Sequence, residues 1–263
     1  MYPVKTGHEK QGRENRGQTE RSRAGKLVHN AEMESNQDPA SRFFEAIQKG
    51  DAEQVRALLA ATPDLAVSTH SSGASPALWA VYTGHRDLAS LVLASRDPDF
   101  FEACALGHSA RATELASRDA ALLNAYSQDG FTGLGLAVFF NHPKTARLLI
   151  ESGASVDAAS RNALAVAPLH SAVASGNPEL VELLLDRGAA PDPADASGLT
   201  PLHSAAAHGN REMARRLLAA GAALRRQTKE GKTPADLAAQ YGHPELAREL
   251  SSPARIVSAP GGQ

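Results

Sequence analysis

The sequence predicts an all-α fold, an α-solenoid of stacked helical pairs, and three observations carry that prediction. First, the chain repeats itself. "SAVASGNPELVELLLDRGA" (171–189) and "SAAAHGNREMARRLLAAGA" (204–222) each follow a Pro-Leu-His, at an interval of 33 residues. A fixed period of this length marks repeat architectures. Second, 42% of the 263 residues are apolar but only 5% are aromatic, and much of the apolar fraction is Ala and Leu, which favours helices over sheets. Third, in the unit from Thr200 each short apolar-periodic run stops at a glycine, Gly209 and then Gly221.

One repeat reads clearly. Thr200 is a good N-cap, and Pro201 suits the first helical position, where its missing N–H costs nothing. Leu202, Ala205 and Ala206 form one face of a short helix that ends at Gly209. A second helix, "REMARRLLAA", places Met213, Ala214, Leu217 and Leu218 at helical spacing before Gly221. A polar excursion of about ten residues then turns through Gly231 toward the next Thr-Pro. Two helices this short cannot hide their apolar faces alone, so each unit becomes the wall of the next.

The 33-residue interval joins Ala167-Pro168-Leu169-His170 to Thr200-Pro201-Leu202-His203 and again to Thr233-Pro234-Ala235-Asp236. With "TPLHSAAAHGN" and "APLHSAVASGNPELVELLLDRGA", this pattern resembles the ankyrin repeat family. The resemblance implies units of helix, turn and helix followed by a hairpin-like finger set roughly perpendicular to them. It also implies that the motif threonines and histidines hydrogen-bond within and between units.

In that frame seven units are expected across 41–250, starting near 41, 75, 98, 132, 167, 200 and 233. Ser41 opens "SRFFEAIQKGDAEQVRALLAATPD", and Ser75-Pro76 opens "SPALWAVYTGHRDLASLVLASRD". Pro98 follows Ser75 by only 23 residues, so this unit is expected to lack its finger and to leave a notch in the finger row. An antiparallel second helix ends near the start of the next unit, so the helix stack survives the deletion. The unit from Pro98 reads "PDFFEACALGHSARATELASRD". The unit from Thr132 replaces Pro-Leu-His by Gly133-Leu134-Gly135, two glycines that weaken a short helix, so this unit is expected either to be locally strained or to be held by its neighbours. Its loop "SVDAASRNALAVA" carries about two extra residues relative to the 33-residue period. The units at 167 and 200 are complete, and the last lacks a finger.

The ends differ. Residues 1–40 carry seven basic residues in "MYPVKTGHEKQGRENRGQTERSRAGK" and little to bury, so a solvated, disordered tail is expected. Met33 opens a cleaner beginning for a folded domain and is a candidate translation start. Residues 251–263 are expected to form a second loose end. The net charge of −2 argues against a general nucleic-acid binder. No apolar run is long enough to span a membrane, and one cysteine allows no internal disulfide. The expectation is a cytoplasmic monomer without cofactor or metal.

Catalytic motifs are weak. "GHSAR" lacks the second glycine of a nucleophile elbow, and "GFTGLG" is too loose for a phosphate loop. Cys104 falls on the alanine face of its helix, as a buried thiol would. His170 and His203 could pair on a metal, but closed sites need three or four ligands, and motif roles fit better. His85, His108 and His243 each follow a glycine and suit turns. Glu179, Glu182 and Asp186, with Arg187, read as a solvated helix face.

The resemblance implies a non-catalytic protein-binding module, with the two residues before each first-helix glycine facing a concave groove. Carried onto this chain, those positions include Tyr82, Leu106, Phe139, Phe140, His208 and Tyr241, with Ala174 and Ser175 between. In a chain poor in rings, four of them are aromatic, as binding hot spots often are. The bland alternative is that these rings cover gaps between units. Trp79 is expected to pack against a neighbouring finger. Alternatives for the whole are a regulatory or inhibitory subunit of an enzyme, or a secreted effector using the same surface.

Overall fold

The computed structural model describes residues 38–252. The expectations for the N-terminal tail, for Met33 and for nearly all of the C-terminal tail lie outside the described residues.

Seven helical pairs follow one another. They are α1 (Pro39–Lys49) with α2 (Ala52–Ala61), α3 (Pro76–Tyr82) with α4 (Arg86–Val92), and α5 (Phe100–Leu106) with α6 (Ser109–Arg118). Next come α7 (Gly133–Phe139) with α8 (Pro143–Glu151), and α9 (Pro168–Ala174) with α10 (Pro178–Asp186). The last are α11 (Pro201–Ala207) with α12 (Arg211–Ala219), and α13 (Pro234–Gln240) with α14 (Pro244–Ser251). Among the described residues the only β-pairing is a single bridge, Tyr126 to Thr132.

The caps are those the residue types dictate. Ser75, Asp99, Thr132 and Thr233 each accept a backbone N–H three residues on. Two starts shift: α1 begins at Pro39 behind Asp38 rather than at Ser41, and Asp99, not Pro98, caps α5. Asn141 takes the left-handed turn that glycine holds in the other units, at φ 61°.

The core runs along the interior of the stack in two clusters. One belongs to the first two units; the other holds units three to seven together with Ala74 and Leu78. Leu134, Leu169, Leu202 and Leu217 are fully buried, each worth about 1.5–3 kcal/mol. Trp79 and Phe140 touch both clusters and span the seam.

That seam is the fingerless unit, and the expected notch is closed. The fingers on either side meet: a Cβ on Gly73 would lie 2.4 Å from the Gln128 carbonyl oxygen. The same kind of contact joins adjacent fingers elsewhere, as at Gly198 and Lys229. The fingers of units one and three therefore meet past unit two, and units two and four also reach each other past unit three. The Tyr82 hydroxyl donates to Asp129 Oδ2 at 2.8 Å, and its ring lies 5.3 Å from that of Phe140. Burial, then the Asp129 carboxylate, pushes the Tyr82 phenol far above its usual range. Arg86 Nη2 lies 2.8 Å from His142 Nε2, again unit two to unit four.

At α7 the contacts fit the second alternative, a unit held by its neighbours. Gly133 provides room, because a Cβ there would sit 2.5 Å from the Phe100 ring. The ring of Phe100, where the motif has proline, is matched by the absence of a side chain in the next unit.

Candidate functional site: a concave groove

The motif histidines are structural by geometry. His203 is fully buried; its Nδ1 accepts the Thr200 N–H at 3.1 Å and its Nε2 donates to the Lys232 carbonyl at 3.0 Å. His170 does the same with the Ala167 N–H, 3.2 Å, and the Leu199 carbonyl, 3.0 Å. Each ring ties its own N-cap to the backbone just ahead of the next cap. Burial holds the His203 imidazole below its usual pKa, and a proton on Nδ1 would face an N–H. Thr233 pairs with Asp236 instead, its hydroxyl donating to Asp236 Oδ2 at 2.6 Å and accepting the Asp236 N–H at 3.3 Å. Pro168, Leu169, Pro201, Leu202 and Pro234 are all buried.

In unit three, Glu102 stands at the histidine position. It is fully buried, and Arg96 donates to both its oxygens, at 2.6 and 2.7 Å. Ser75 Oγ donates to it at 2.7 Å and the Asp99 N–H at 3.0 Å. Burial alone would raise the Glu102 pKa; these donors, Arg96 foremost, hold it below its usual range. Burial and the Glu102 charge raise that of neighbouring Asp99. Arg96 also donates to the Ala66 carbonyl, at 3.1 and 3.2 Å, so it straps unit one to unit three where a finger is missing. A cavity of about 420 Å³ beneath the joined fingers is walled by this pair, Gly73, Tyr126 and Gln128. Sequence reasoning missed the strap; its signal was an acid at a motif position six residues after an arginine, in the shortened unit.

The second-helix histidines have a packing role. A Cβ on Gly50, Gly107 or Gly209 would lie 2.5 Å from the ring of His85, His142 or His243 of the following unit. Gly84 has nothing within 4 Å, so His108 does not repeat the contact across the seam. Cys104 is fully buried, and burial followed by the Asp99 charge pushes its thiol far above the usual range. Among the described residues, no three His, Cys, Asp or Glu are grouped to hold a metal ion. No helix there is long and apolar enough to cross a membrane.

Of the six groove positions, three are partly withdrawn. Tyr82 and Phe140 are half-buried in the cluster that joins units two and four, and Leu106 packs against the first core cluster. Phe139 remains 49% exposed and Tyr241 60%, and His208 is exposed, its Nδ1 2.8 Å from the Ser204 carbonyl. Trp79 stacks on His70 of the first finger at 3.8 Å.

Phe139 and Tyr241 stand at opposite ends of one groove. A cavity of about 420 Å³ beside Phe139 is lined by Val166, Ala174, Ser175 and Asp195. A second, of about 610 Å³ beside Tyr241, is lined by Ala207, His208, Lys229 and Lys232. Leu199 and Ser204 line both, so the floor is continuous. On the second helices, Arg147–Glu179 (3.3 Å), Arg187–Glu151 (3.2 Å) and Arg216–Glu182 pair across units rather than facing solvent singly. Such exposed pairs are worth about 0–1 kcal/mol each, so they tune the stack rather than hold it.

Stacked helical hairpins with side-chain ties from cap to cap define a repeat solenoid whose surface varies from unit to unit. Residues 43–160, 100–193 and 169–258 match the family model for ankyrin repeats (three copies), and the chain belongs to the ankyrin repeat family. Ankyrin repeats are a protein–protein interaction module. The chain is also similar to the probable E3 ubiquitin-protein ligase XBOS32 of Oryza sativa subsp. japonica. That relative is 28% identical, over 57% of this chain, and the chain spans 38% of the relative's length.

Proposed function

We propose that the chain is a non-catalytic binding module that holds a protein partner in the groove between Phe139 and Tyr241, with the finger tips as its rim. The observation that carries this is the exposure of two large rings at the ends of a floor made continuous by Leu199 and Ser204. Exposed aromatics beside pockets are what interface hot spots are made of. His208 lies on the same wall, while Tyr82, Phe140 and Leu106 support the groove from behind. Similarity to a probable ubiquitin ligase favours one second reading, in which the groove presents a partner to an enzyme acting in trans. A reducing, cytoplasmic setting and a monomeric state fit a chain whose single thiol is buried.

The test is a titration. A partner recovered by cross-linking in the native cell is measured against wild type and the Phe139→Ser, Tyr241→Ser variant. Affinity is expected to fall at least tenfold, about 1.4 kcal/mol, with stability changed by less than about 1 kcal/mol. A folded variant binding at full strength refutes the groove.

A further inference from the structure

The two halves of the groove differ in charge. The finger that follows α12 reads Leu224 to Lys232, "LRRQTKEGK", with Arg225, Arg226, Lys229 and Lys232 against Glu230 alone. All four cations are exposed. The finger before it carries only acids, Asp192 and Asp195. Elsewhere Arg147, Arg187, Arg211 and Arg216, on or at the end of second helices, each meet a glutamate of a neighbouring unit, whereas Arg56, Arg215 and Arg248 meet none. None of the four cations on this finger is in a salt bridge. Lys232 lies in the field of the Asp236 carboxylate, which already accepts from the Thr233 N–H and hydroxyl at 2.9 and 2.6 Å.

Lys229 and Lys232, two cations against the one acid Glu230, line the cavity that Tyr241, Ala207 and Leu237 wall on its apolar side. We infer that this end of the groove takes an acidic peptide segment, one carrying Asp or Glu next to an apolar anchor. The carboxylates would meet Lys229 and Lys232, and the anchor would lie against Tyr241. This rests on the groove reading and specifies its partner. Of the chain's own ends, 1–26 hold seven basic residues against three acidic and 253–263 hold Arg255 and no acid, so neither fits. Glu32-Met33-Glu34 does carry acids beside an apolar residue. A peptide of residues 27–38 therefore joins the library panel as the competing occupant, and its binding in preference to every library peptide would overturn a separate partner. An extended polyanion fits less well than a peptide. The cations are confined to one finger of a chain with net charge −2, and an apolar wall stands beside them.

The experiment pans a random displayed-peptide library against the full chain. The parallel targets are Lys229→Glu with Lys232→Glu, and Phe139→Ser with Tyr241→Ser. Both lysines are exposed, and Lys232 serves His203 through its backbone carbonyl, so the charge reversal leaves the fold intact, as circular dichroism checks. Wild type is expected to select peptides with clustered Asp or Glu beside an apolar residue. Their affinity should fall at least tenfold in the charge-reversed protein and fall with rising salt. Peptides that depend on the two rings but not on the lysines would overturn the acidic assignment and leave the groove. Peptides indifferent to both variants would overturn the groove itself. A library yielding no acidic binder, or lysine-dependent binding only to phosphatidylserine vesicles or duplex DNA, overturns the proposal as well.

Discussion

Replacing Glu102 by Met should loosen the molecule at one place. Met approximates the size of Glu and fills the same space without charge. The change leaves the Arg96 guanidinium, 23% exposed, without its carboxylate. Removing one partner of a buried pair costs about 3–5 kcal/mol. Arg96 keeps the Ala66 and Asp97 carbonyls, so the lower end applies, about 3 kcal/mol. The Ser75 hydroxyl and Asp99 N–H lose an acceptor as well, adding about 1 kcal/mol. The total is about 4 kcal/mol, all at the seam between the two core clusters. Trp79, the only tryptophan, spans that seam and reports on it. In urea, its fluorescence transition should move ahead of the circular dichroism transition, because a weakened interface uncouples neighbouring repeats. Adding Arg96→Met should recover part of the loss, since the stranded charge is then gone. The Glu102 pKa is lowered by folding. Its contribution is therefore present above about pH 4.5, its ordinary value, and is lost as pH falls through the folded value. Wild type and variant should converge in acid. A single-variant cost under about 1 kcal/mol, or strictly additive double-variant losses, would refute the strap.

Three further outcomes are expected. His203→Ala should cost about 1–3 kcal/mol by urea denaturation, through the unpaired Lys232 carbonyl and Thr200 N–H. Folding lowers the pKa of His203, His142 and His70, so their stabilisation is full above pH 6.5 and lost as pH falls through the folded values. The urea midpoint should be lower at about pH 5.5 than at about pH 7.5, less so in the variant. Gly133→Ala should cost about 1–3 kcal/mol in thermal unfolding, because its Cβ would meet the Phe100 ring at 2.5 Å; a neutral result would mean α7 can step aside. Phe140→Ser should cost about 2–3 kcal/mol and Phe139→Ser under about 1, a contrast that equal losses would abolish.

The repeat made the helices legible because each is dictated locally. Thr200-Pro201 begins one, Gly209 ends it, and Leu202 and Ala205 share the face it buries. The missing finger was legible too, as a count of residues between Ser75 and Pro98. Its consequence was not. The joining of Gly73 to Gln128 and of Tyr82 to Asp129 relates residues 55 and 47 positions apart, and no period links them. Within a repeat, position predicts environment; at a break in the repeat, only three-dimensional packing does. The aromatic positions show this limit most plainly. Phe139 and Phe140 are neighbours in one unit, with the same register argument available to both. Yet one is 49% exposed and the other bridges two core clusters.

The missing finger and the groove are parts of one arrangement. A repeat array with uniform fingers would carry one uniform groove from end to end. Here the shortened unit lets units two and four close on each other, and the closure consumes the rings that uniform register would have left free. Tyr82 is tied to Asp129, and Phe140 is packed at the seam. Both cavities that make up the groove lie on the C-terminal side of that closure. Phe139 stands at the junction, 6.2 Å from Tyr82 on one side and lining the first cavity on the other. The strap at Arg96 and Glu102 therefore acts on binding only through shape. If it fails, Phe140 is freed, Phe139 loses its backing, and the groove loses its closed end. A variant weakened at Glu102 should accordingly bind a groove partner more weakly even though Glu102 is fully buried and lines neither cavity of the groove. Unchanged affinity in a Glu102→Met protein whose Trp79 transition has shifted would show that the groove is set by units four to seven alone.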